Sequence, residues 1–172
     1  FFSQYSLEKT PTWFIDGFAQ YFSTTRFDGN EAVLGLAPEP FALYLRRIGS
    51  EWRYSLDYTD VLTGKEDNGR SYIGTAGVKN EFQARAWILT HYILSSHENL
   101  AKFHLYLDAL AKGEAPTVAF EHAFDIKASK INYTLWKYLH GGQLLASKLN
   151  FKALPEADIS FQTLPVSADR LL

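Results

Sequence analysis

The stretch from about Lys79 to Ser96 limits this chain most. It reads as a helix that is apolar nearly all round: Phe82, Ala84, Ala86, Trp87, Ile88, Leu89, Tyr92, Ile93 and Leu94 leave no continuous polar face. A helix without a polar face must be wrapped by the rest of its domain. The chain can do this, because 172 residues suffice for one domain with a sizeable core. Hydrophobic residues make up 47% and aromatics 16%, which excludes a disordered chain.

Shorter helices follow from the same periodicity. They are expected from about Pro40 to Ile48, from Ser55 (as cap) to Leu62, from Leu100 to Lys112, from Thr117 to Phe124 and from Ser129 to His140. Phe27-Asp28-Gly29-Asn30 is turn chemistry, so Glu31 to Ala37 reads as one arm of a hairpin. Leu144 to Leu154 is strand-like. Lys65 to Arg70 is a polar loop suited to a rim or lid. The expected fold is mainly α with one or two short β segments, in one unit over residues 1–154 followed by a tail or linker over 155–172.

Thr10 to Ser23 forms another helix, with Thr10 placed to cap it and Pro11 at its first position. At about 100° per residue, Phe14, Ile15, Phe18, Ala19, Tyr21 and Phe22 share a broad apolar face. Asp16, Gln20 and Ser23 form a narrow stripe opposite. Asp16 is therefore an acid held at a fixed place, facing either a cleft or solvent.

Few residues offer chemistry. Of the five histidines, His97, His104, His122 and His140 form no metal pair, and His97-Glu98 lacks a second His four residues on. His91 differs, because it lies inside the central helix. It is either a buried histidine bonded to a carbonyl or carboxylate, or a polar group lining a cleft beneath the Asp16 helix. Arg85 in the same helix needs a partner, and an acid such as Asp16 could supply it. G-x-S-x-G and a phosphate-binding glycine loop are absent.

Trp13-Phe14-Ile15-Asp16-Gly17-Phe18-Ala19-Gln20-Tyr21-Phe22, preceded by Pro11, resembles a motif of gluzincin-type zinc metallopeptidases, the peptidase-MA-like group. There it reads roughly P-x-W-[LF]-x-E-G-[LF]-A-x-Y-[FL]. Ala86 to Leu94, Leu107 to Gly113, Ala119 to Phe124 and Leu135 to Leu139 are similar to the later helices of uncharacterised bacterial members. The resemblance implies the helical C-terminal half of a zincin-like metallopeptidase domain, with Asp16 at the third zinc-ligand position. The chain departs from the family in two ways. It has no H-E-x-x-H helix, the source of two zinc ligands and the general base, and Asp replaces the ligand Glu.

The expectation is thus a C-terminal fragment of a zinc-dependent peptidase or hydrolase, inactive alone. Zinc belongs to the parent, with none in this chain by itself. His91 is the one catalytic candidate. The expected partners are an upstream segment carrying H-E-x-x-H and a peptide or protein substrate. The alternative is a non-catalytic helical scaffold or protein-interaction domain. A carbohydrate-binding module displaying Trp52, Tyr54 and Tyr58 in a row is a third reading. Net charge of −2 with both signs scattered gives no reason to expect nucleic acid or an anionic membrane as partner. Without cysteine there is neither a disulfide framework nor a thiolate metal site. No apolar run approaches the roughly 20 residues that span a bilayer. The compartment stays open between cell envelope and cytoplasm. Because the sequence opens on Phe1 and contains no Met, a processed product or an excised piece is expected.

Overall fold

The computed structural model describes residues 10–46, 56–65, 74–141 and 146–151. Its helices are α1 (Thr12–Ser23), α2 (Ala42–Leu45, entered through a 3₁₀ turn at Glu39–Phe41), α3 (Tyr58–Leu62), α4 (Gly74–Leu94), α5 (His97–Ala111), α6 (Pro116–Phe124) and α7 (Ala128–His140). Strands β1 (Arg26–Asp28), β2 (Glu31–Leu34) and β3 (Ser147–Asn150) complete it. The fold is mainly α-helical with a small three-stranded antiparallel sheet.

The central helix sits where its sequence requires. Along α4, Phe82, Ala84, Ala86, Trp87, Ile88, Leu89 and Ile93 are all fully buried. Helix α4 begins earlier than expected, at Gly74. It ends at Leu94, and the Ser96 side chain accepts from the Asn99 N–H to start α5. Helix α1 lies along α4, α5 pairs with α6, and α7 closes against α3, α4 and α6.

Two aromatic clusters join these helices. Trp13 and Phe14 of α1 meet Phe103 and Tyr106 of α5, and Tyr106 meets Phe120 of α6 edge-on. At the other end of α1, Tyr21 faces His91 of α4, which in turn faces Tyr138 of α7.

The hairpin expected from Phe27 to Ala37 is present. Gly29 and Asn30 form the turn, and Arg26, Phe27 and Asp28 pair with Val33, Ala32 and Glu31. β3 adds to the far side of β2, with Ala32 opposite Leu149 and Leu34 opposite Ser147. The sheet is tied to the helices by the Tyr21 hydroxyl, 3.0 Å from Ser147 Oγ, and by the Gly35 N–H, which donates to the Tyr21 carbonyl.

Three local expectations are corrected. The N-cap of α1 falls on Pro11, which has no capping side chain, so the helix starts one residue later than predicted. Helix α3 is capped by Asp57, not Ser55, in a reciprocal box with Asp60. The helix expected from Pro40 to Ile48 is described only to Leu45, and its first turn is 3₁₀. Residues 66–70 of the polar loop and the tail at 155–172 lie outside the described residues.

Candidate functional site

Helix α1 presents its faces differently from the prediction. Trp13, Phe14, Gly17 and Tyr21 are buried, whereas Ile15 is 43% exposed, Phe22 is 41% exposed and Ala19 is also exposed. The helix is apolar on so many positions that periodicity alone could not choose its inward side. Gly17 decides it. A Cβ at position 17 would overlap Thr90 Oγ1 and the Ala86 carbonyl, so α1 meets α4 backbone to backbone there. The inward face is centred on that glycine, flanked by Trp13 on one side and Tyr21 on the other.

Asp16 consequently lies on a shoulder of α1, half-buried, with the half-buried Gln20 one turn on. It belongs neither to the core nor to the outermost surface. Among the described residues no group of three His, Asp or Glu side chains gathers to hold a metal ion.

His91 is buried, with 2% of its surface exposed. Its ring is enclosed by Tyr21 (centroids 5.5 Å apart), Trp87 (5.2 Å) and Tyr138 (5.7 Å). Nδ1 lies 2.7 Å from the Tyr138 hydroxyl. Nε2 is buried with no partner in hydrogen-bonding geometry. Burial lowers the His91 pKa from 6.5 to about 4, and backbone groups of His91 itself and of Gly35 only partly offset it. A neutral imidazole sealed among aromatic rings joins α4 to α7 and α1. At Nδ1 its bonding partner is a tyrosine hydroxyl. That partner lies 47 residues away, and no sequence pattern marks it.

The partner that Arg85 required is Glu81, one turn back in α4. The Arg85 Nη2–Glu81 Oε1 distance is 3.0 Å, and Nε donates to the same oxygen. Nη1 donates to Asn132 Oδ1 of α7, and the guanidinium lies 5.5 Å from the centroid of the Tyr58 ring. Both charges are buried, so the pair is a packing element of the α3–α4–α7 junction. The i,i+4 spacing of Glu81 and Arg85 was a readable signal for it.

The remaining histidines are spread over the surface. His122 Nδ1 meets Glu114 Oε1 at 2.6 Å, and His140 Nδ1 lies 3.0 Å from the Trp136 carbonyl. Tyr58 is buried, which removes it from any exposed aromatic row, and Trp52 and Tyr54 lie outside the described residues.

No protein-family model, no curated protein and no solved structure matches this chain. Among the described residues, no helix is long and apolar enough to cross a membrane.

Proposed function

We propose that this chain is a non-catalytic helical scaffold that serves protein interaction. One observation carries the reading. Four of the positions that gave residues 11–22 their likeness to a peptidase motif are packing positions: Trp13, Phe14, Gly17 and Tyr21 form the buried face of α1. The aromatic and glycine spacing then follows from a close helix crossing and needs no metal. Of the residues with chemistry to offer, His91 is sealed inside as a structural link, and Asp16 lies half-buried on the shoulder of α1.

The reading is tested by melting the protein with excess zinc and with a chelator. A site filled at a hundred times its Kd would stabilise the folded chain by about 2.7 kcal/mol, a shift of several degrees. The scaffold reading expects no shift. A zinc-dependent rise that disappears in Asp16→Ala would overturn it.

A second reading, favoured by the position of Asp16 on the shoulder of α1, is the C-terminal part of a zincin-like, gluzincin-type hydrolase domain. Zinc and the general base would then come from an upstream segment carrying H-E-x-x-H. Joining such a segment to this chain should produce zinc binding that depends on Asp16, and binding indifferent to Asp16→Ala would count against it.

A further inference from the structure

We propose that the outward face of α7 is a docking surface for an acidic peptide segment carrying an aromatic or large aliphatic anchor. The inference rests on the scaffold reading and names its partner. Helix α7 buries Ile131, Leu135 and Tyr138. Its opposite face carries Tyr133, 54% exposed, Trp136, 38% exposed, and the exposed His140. These three rings form a row. Tyr133 and Trp136 lie 6.1 Å apart and nearly parallel, at 13°, and Trp136 and His140 lie 5.1 Å apart. The row is ordered before any partner arrives, so little side-chain freedom is lost on binding. Tryptophan and tyrosine are also the residues that most often dominate interface energies.

The charged residues of α7 and its N-cap have one sign. Lys127, Lys130 and Lys137 are exposed, and Lys137 Nζ sits 4.7 Å from the Tyr133 ring centroid. None of the three has a carboxylate partner among the described residues, whereas Lys102 is paired with Glu98 and Lys148 with Glu31. From residue 126 to residue 155 the sequence contains no Asp or Glu, although the whole chain has 19 acidic residues against 17 basic ones. The charge is thus segregated along the sequence, and the lysines of α7 and its N-cap are unpaired with carboxylates among the described residues. Complementarity calls for carboxylates around an apolar anchor that stacks on Trp136.

Two other polyanionic partners fit less well. Nucleic acid affinity comes from many phosphate contacts made by a basic body, and this face has three lysines and no arginine on a chain of net charge −2. Insertion into an anionic membrane needs a broad apolar face, and here that face is reduced to one Tyr and one Trp.

The test is selection from a random-peptide display library on the full chain, repeated on Lys130→Glu/Lys137→Glu and on Tyr133→Ser/Trp136→Ser. The expected winners carry net negative charge and at least one aromatic or large aliphatic residue. The dominant peptide, synthesised with a fluorescent label, should lose about tenfold or more in affinity for either double variant. Its Glu→Gln version should bind comparably weakly, and added salt should weaken binding. Both lysines are exposed, so their reversal tests the idea even where loss of Trp136 disturbs folding. Winners that are neutral or basic, an absence of winners, or binding that survives the lysine reversal would overturn the proposal. So would binding confined to oligo-dT or to phosphatidylserine vesicles. The zinc melting experiment reports separately on the scaffold reading, because Asp16 and α7 share no residue.

Discussion

A single methyl group at position 17 has no room. Gly17→Ala places a Cβ against the Ala86 backbone of α4 as well as against Thr90 Oγ1, and the backbone cannot turn away, so the two helices must separate. Overpacking of this kind costs about 1–3 kcal/mol, and more where backbone must move. We expect a fall in melting temperature of roughly 5–10 °C, measured by circular dichroism. His91 makes its own prediction. Its pKa is about 4 in the folded chain against 6.5 when exposed. Between those values the unfolded chain binds a proton that the folded chain does not. Stability is therefore complete above about pH 6.5 and declines as pH falls through this window. The loss reaches about 3 kcal/mol near pH 4. Urea unfolding at several pH values should show this slope. The slope should flatten in His91→Phe once the background from other groups is subtracted by comparison.

At the scale of elements, the helix ends and the buried pair decide most. Helix α6 closes on Asp125 in a left-handed conformation, with φ of 56°. Glycine takes that conformation without the Cβ penalty, so Asp125→Gly should stabilise by about 0.5–1 kcal/mol in denaturant unfolding. The Glu81–Arg85 pair works the other way. Glu81→Ala takes from the buried guanidinium the carboxylate 3.0 Å away, and removing one partner of a buried pair costs about 3–5 kcal/mol. Replacing both residues with apolar ones of similar volume should cost much less, and a double-mutant comparison of unfolding free energies checks this. The elements themselves were largely readable from the sequence. The central helix, α5 to α7 and the hairpin all announce themselves through apolar spacing and turn residues. The cap of α3 was missed because Ser55 and Asp57 are both good caps, and the choice depended on a reciprocal bond with Asp60.

At the scale of the whole molecule, burial is uneven. The interior of α4 is enclosed by α1, α5 and α7, while the sheet leaves Phe27 and Leu149 largely exposed. Native-state hydrogen exchange should therefore find the slowest amides between Phe82 and Ile93, exchanging only through global unfolding. Amides of β1 and β2 should exchange through a smaller opening that breaks the Tyr21–Ser147 link. Equal protection in both regions would show that the sheet and the helices unfold as one unit.

What the sequence determined by itself is local: a helix with no polar face, amphipathic helices beside it, and a turn at Gly29-Asn30. These depend on residue spacing within one or two turns of chain. Which side of α1 turns inward, what His91 bonds to and whether Asp16 meets other ligands depend on residues far apart in the chain. Apolar residues nearly surround α1, so its periodicity allowed several orientations. The absence of a side chain at Gly17, where α1 meets the backbone of α4, selected one of them. With that choice made, Trp13 and Tyr21 enter the core, Asp16 is left on the shoulder, and His91 is closed in by rings from three helices.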